Sequence, residues 1–182
     1  MNISAQISDD AAEIAVKYWI DKVIIGLNFC PFAKKEIERD SVRYAISPAT
    51  QANDALSHLL EELALLENQL DIQTTLLVFP QGFNDFEKYL DMLELANSLI
   101  NQGGYGGIYQ LASFHPDYCF DGEDEDDPAN YTNRSPYPIL HILRESSIEM
   151  VLKRYPQPEN IPENNIAKAR ELGADFLQGL LK

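Results

Sequence analysis

The feature that most constrains the fold is the run at residues 73–79, QTTLLVF. Its apolar residues do not alternate with polar ones, so a strand formed here is covered on both faces and lies inside a sheet. Pro80-Gln81-Gly82 stops it. A strand covered on both faces needs helices to cover it, and the flanking sequence supplies them. Residues 50–70 place Leu56, Leu59, Leu60, Leu63, Leu66 and Leu70 on one helical stripe, with Thr50 as a cap. From Asn84 onward, Phe86, Tyr89, Leu90, Leu93, Ala96 and Ile100 line a second helical face. Asn84 and Glu87 have capping-box spacing, and Gly103-Gly104 ends the helix.

Two more strands bracket this unit. Residues 41–47 alternate Val42, Tyr44 and Ile46 against Arg43 and Ala45 up to Pro48, and residues 108–114 form a third apolar run. The order strand, helix, strand, helix, strand predicts two βαβ units. The expected fold is therefore α/β, a single domain over residues 1–182. Its sheet is small, three-stranded and mostly parallel, with the crossover helices on one face and the N- and C-terminal helices on the other.

Those terminal helices also have sequence signals. Residues 9–27 carry Ala12, Val16, Trp19, Ile20, Val23, Ile24 and Leu27 at helical spacing, with Ser8 or Asp9 to cap them. Pro31 suits a first helical position, which puts Cys30 at a helix start. Ser135-Pro136 reads as cap and first residue of a helix over residues 136–155, burying Ile139, Leu140, Leu143, Ile148, Val151 and Leu152. Asn160 and Glu163 open a last helix.

With 182 residues, 45% of them hydrophobic, the chain can bury a sizeable core. Its 14 basic and 29 acidic residues leave a formal charge of −15, which opposes nucleic acid and anionic membranes as partners. No apolar run reaches bilayer length and the N-terminus lacks a signal-peptide pattern, so a cytoplasmic location is expected. Cys30 and Cys119 make neither a disulfide framework nor a zinc-type pair.

Parallel strands would bring Pro48, Pro80-Gln81-Gly82 and His115-Pro116-Asp117 to one carboxyl edge, where open α/β sheets bind ligands. Between Pro116 and Ser135 no regular element is evident, and structureless stretches of this length are commonly functional. Arg134, just before the expected helix start, suits an anion, held in a two-point fork and by free helix N–H groups. Asn130, Asn133, Ser135 and His141 would add hydrogen bonds. His115 oriented by Asp117 has the make-up of a general base. The expectation is a small-molecule enzyme, with hydrolysis as the candidate reaction and an anion pocket formed by residues 115–145; no cofactor is specified.

Two other readings come from the same residues. The acidic run from Asp121 to Asp127 matches no calcium-loop spacing, so no metal is assigned to it. It reads as a solvated surface, and a non-enzymatic module docking a basic protein partner is one alternative. Cys30 has Lys34 and Lys35 one turn away, which would favour a thiolate, while Phe29, Phe32 and Ile37 indicate a packed setting.

The pieces GLNFCPFA (26–33), FHPDY (114–118), NYTNRSPYP (130–138) and LHILRE (140–145) together resemble an uncharacterised bacterial family, a domain of unknown function. That resemblance implies no reaction. Cys30-Pro31-Phe32-Ala33 is also similar to the one-cysteine turn of glutaredoxins and omega-class glutathione transferases. It implies, as a second alternative, a glutathione-linked redox protein centred on Cys30.

Overall fold

The structure, a computed structural model, describes residues 7–181. The first helix, α1 (Asp9–Trp19), is capped by Ser8, whose side chain accepts the Ala11 N–H. It continues without a break into a π-helical stretch, Ile20–Ile25. There the Asp21 and Ile24 carbonyls accept from Gly26 and Phe29, five residues on. Asn28, at φ 55°, reverses the chain, which is a conformation asparagine tolerates. A short α2 (Ala33–Glu38) follows, then β1 (Val42–Ile46), α3 (Ala52–Asn68), β2 (Thr74–Val78), α4 (Phe86–Gln102) and β3 (Tyr109–Phe114). After the irregular segment come β4 (Ile139–Arg144), α5 (Glu145–Leu152), α6 (Ile161–Leu172) and α7 (Ala174–Leu180).

The sheet has four strands in the order β1-β2-β4-β3. β1 and β2 pair in parallel, and β4 is antiparallel to both β2 and β3. The three expected strands therefore run in one direction and β2 is interior, as its unbroken apolar run implies. The three-stranded, mostly parallel expectation is corrected by β4, which lies between β2 and β3 and makes the sheet mixed.

The helix expected over residues 136–155 is replaced by β4 and the eight-residue α5. Ile139, Leu140, Ile142 and Leu143 fit a buried strand as well as a helix. The strand satisfies two ladders at once, pairing Ile139 with both Val78 and Phe114. Ser135 caps no helix: its hydroxyl donates to the Tyr137 carbonyl, in the turn that leads Pro136 and Pro138 into the strand.

Strand side chains divide into two cores. On one face Ala45, Leu77, Leu140 and Ile142 meet Leu59, Leu63 and Leu66 of α3 and Tyr89, Met92 and Ala96 of α4. On the other, Leu76, Val78 and Ile139 meet Val16, Trp19, Val23 and Ile24 of the N-terminal helix with Ala169 and Leu177 of α6 and α7. The crossover helices thus share one face, and the terminal helices the other.

Polar ties link these layers. Arg43 donates to both carboxylate oxygens of the buried Glu62, at 2.7 and 3.0 Å, joining β1 to α3. Arg144 donates to the Leu66 and Ile72 carbonyls and to the Tyr109 hydroxyl, closing the carboxyl end of α3 on β4. Two expected caps move by one residue. Gln51, not Thr50, precedes α3 and offers no side-chain cap, while Asp85, not Asn84, accepts the Lys88 N–H at the start of α4.

Candidate functional site

The carboxyl ends of β1, β2 and β3 lie at one edge of the sheet, together with the beginning of β4. The irregular segment of residues 115–138 is built onto this edge by its own hydrogen bonds. Asn130, fully buried, accepts from the Phe120 N–H at 3.0 Å and donates to the Asp124 carbonyl at 2.8 Å. Asn133 donates to the Ser113 carbonyl at the end of β3. Arg134 donates through Nε to the Tyr118 carbonyl and through Nη2 to that of Glu125, with its guanidinium 4.6 Å from the Tyr131 ring centroid.

His115 is completely buried at the head of this segment. Its Nδ1 accepts the Asp117 backbone N–H at 3.0 Å, which leaves Nε2 as the protonated nitrogen donating to the Phe83 carbonyl at 2.8 Å. The Phe86 and Tyr89 rings lie against it, at centroid distances of 5.0 and 5.1 Å. Burial pushes its pKa below the ordinary histidine value, against the Phe83 carbonyl and the Asp117 and Asp85 charges. Both ring nitrogens are thus committed to backbone groups, and the contact with Asp117 is to its backbone N–H. Ser135 is buried in the same segment, with its N–H on the His115 carbonyl.

His141 lies elsewhere. It occupies the third position of β4, opposite Leu76 and Ala112, on the face that carries the terminal helices. The Thr74 hydroxyl gives its proton to the Ile142 carbonyl and so accepts from His141 Nε2, at 2.7 Å. Burial pushes this imidazole down to about 4. Cys30 follows the π-helical stretch, where burial raises the thiol pKa above its ordinary value against the opposing Phe32 and Ala33 N–H groups. The Phe29 carbonyl beside it takes the Asn165 side chain of α6 at 2.6 Å. Of the predicted residues, then, His115, Asp117, Asn130, Asn133, Arg134 and Ser135 share one segment, while His141 and Cys30 lie apart from it.

The same edge carries a cleft of about 470 Å³ between the starts of α3 and α4. Thr50, Gln51, Gln81, Asn84, Lys88 and the carboxylates of Asp85 and Asp91 supply its polar lining. Gly82 lets its two walls meet: a β-carbon there would collide with the Ala49 carbonyl and stand 2.9 Å from Thr50 Cα. Phe83 follows at φ 60°, an unfavourable conformation for an aromatic residue, with its carbonyl held by His115. Among the described residues Lys88 makes no ion pair, and no side chain caps the first turn of α3. Pro80-Gln81-Gly82 stand at this edge as expected from the sequence, whereas Gln51 and Lys88 carry no sequence signal beyond their positions at the starts of the two crossover helices.

The acidic run is partly spent within the protein. Arg170 of α6 meets Asp127 at 2.7 Å and Glu123 at 3.2 Å. With the Ala129 N–H it holds the Asp127 carboxyl down at about 2. Among the described residues no three His, Cys, Asp or Glu side chains come together as a metal site, and no helix is long and apolar enough to cross a membrane. A family model described as "Protein of unknown function (DUF1415)" matches residues 11–179. No curated protein and no solved structure matches the chain.

Proposed function

The chain belongs to that family, and we propose that it acts on a small anionic molecule, a carboxylate or a phosphate, bound in the cleft between the starts of α3 and α4. The observation that carries this reading is the hydrogen bond from the buried His115 to the Phe83 carbonyl. Through it, the whole irregular segment serves as backing for the strained loop that forms one wall of the cleft. Non-glycine residues at positive φ persist where the surroundings over-determine them, and such residues concentrate at functional sites. His115 is then a positioning residue rather than a base.

The ligand's negative charge would be met by the Lys88 ammonium and by the uncapped N–H groups of α3, with Gln51, Gln81 and Asn84 as neutral hydrogen-bonding groups, at the α3 end of the cleft rather than against the lining carboxylates Asp85 and Asp91, the first of which accepts the Lys88 N–H. Arg134 would act at one remove, through the carbonyls of Tyr118 and Glu125 that it fixes. Calorimetric titration with inorganic phosphate, citrate and malonate, on the wild type and on Lys88→Ala, tests the assignment. Saturable binding of one of them, weakened about tenfold in Lys88→Ala, is the expected result, the loss of one charge-assisted contact being about 1.5 kcal/mol. Equal affinity in the two proteins, or binding of none of the three, would overturn it.

A further inference from the structure

A second cleft, of about 450 Å³, lies on the opposite face, where α1 and the π-helical stretch pass over β1. Its apolar floor is made by Ile20, Ile25, Val42 and Tyr44, and its rim carries the carboxylates of Glu13, Asp21 and Asp40. The one cation among the lining residues is Lys17. Three carboxylates less one ammonium leave a lining charge of −2, and Lys22, just outside the lining, pairs with Asp21 at 2.8 Å and reduces it to −1, carried by Asp40. Lys17 also displays the chemistry that this cleft accepts. Its ammonium pairs with Glu13 at 2.6 Å and stands 4.8 Å from the Tyr44 ring centroid, so one alkylammonium is already held by a carboxylate and an aromatic face.

Asp40 has no ion-pair partner among the described residues. Burial first, then the Glu13 and Asp40 charges, push the Tyr44 hydroxyl up to about 12, so both carboxylates act on that side chain. The carboxylates do not converge on one point as a metal ion would require. A longer cation with separated charges and an apolar stem fits better. We propose that this cleft binds a small aliphatic diamine or polyamine, with one ammonium between Asp40 and Glu13 beside the Tyr44 ring and its methylenes on the apolar floor.

The site is independent of the anion cleft, which lies on the other face. With a chain charge of −15, the competing explanation for polyamine binding is a diffuse counter-ion atmosphere. The test is therefore a calorimetric titration of the full chain with 1,5-diaminopentane at physiological salt, using charge-matched variants. Saturable one-to-one binding is expected. It should weaken about fivefold or more in Asp40→Asn and in Tyr44→Leu, tighten in Lys17→Met, and stay unchanged in Asp124→Asn in the exposed acidic loop. Asparagine tolerates the φ of 54° at position 40, so Asp40→Asn keeps the backbone. Unsaturable binding, or the same loss in Asp124→Asn as in Asp40→Asn, would overturn the proposal. So would binding of a lysine-rich peptide without binding of the diamine.

Discussion

Acid should destabilise this protein through His141, and the size of the effect follows from the strand position of that residue. The imidazole donates Nε2–H to Thr74 and sits beneath the terminal helices, where burial lowers its pKa from 6.5 to about 4. A folded-state pKa below the unfolded one means that the unfolded chain takes up the proton first. The neutral form's contribution is whole above about 6.5, erodes as pH falls from there towards about 4, and is gone below it. A gap of roughly 2.5 pH units corresponds to about 3 kcal/mol over the whole window, and to about 2 kcal/mol by pH ~5. His141→Gln keeps a donor for Thr74 and removes the titration. Urea unfolding of both proteins at about pH 7.5 and about pH 5 is the assay. The carboxylates and His115 titrate in both proteins, so they cancel in the comparison. The wild type should lose about 2 kcal/mol more than the variant between the two conditions, a midpoint difference of about 1 M at an m-value of about 2 kcal/mol/M. The same acid loss in both proteins would refute the packed, neutral histidine.

One further substitution and one labelling experiment bear on the packing of the layers. Arg144→Met strips the donors from the Leu66 and Ile72 carbonyls and the Tyr109 hydroxyl, and should cost about 3 kcal/mol. A melting point about 8 °C lower is expected for a chain of this size, and a fall below about 2 °C would show that water replaces those bonds. Cys30 is half-buried, and desolvation raises its thiol pKa. It should therefore react with a disulfide reagent at neutral pH far more slowly than an unfolded control, and labelling at the control rate would reject the packed setting.

The helix expected over residues 136–155 shows where local pattern stopped being informative. Ile139, Leu140, Ile142 and Leu143 sit at spacings one helical face can bury, and Ser135-Pro136 has the chemistry of a helix start. Nothing in that stretch records that the edges of β2 and β3 stand open to receive a strand. That requirement is tertiary, and it outweighs local preference because β4 fills both edges at once. Where one residue run settles its own partners, the sequence was readable. The non-alternating run at 73–79 became the buried β2, and Leu59, Leu63 and Leu66 of the leucine stripe became the inner face of α3, while Leu60 and Leu70 of that stripe are exposed.

The anion expected at Arg134 and Ser135 depends on that same helix start; with a strand there, no free helix amides or macrodipole are present to receive one. The motif residues keep a different kind of importance. His115, Asn130, Asn133 and Arg134 direct their donors at the carbonyls of Phe83, Asp124, Ser113, Tyr118 and Glu125. A long segment whose regular structure is one 3-10 helix, Pro128–Thr132, leaves many backbone groups unpaired, and these side chains pair several of them. A dense run of Asn, His and Arg in such a segment is therefore what ordering the segment itself demands, and the ligand is to be sought against the wall it supports. At the carboxyl edge that wall is the loop from Gln81 to Asp85, where Gly82 and Phe83 take up the backbone shape that the cleft requires.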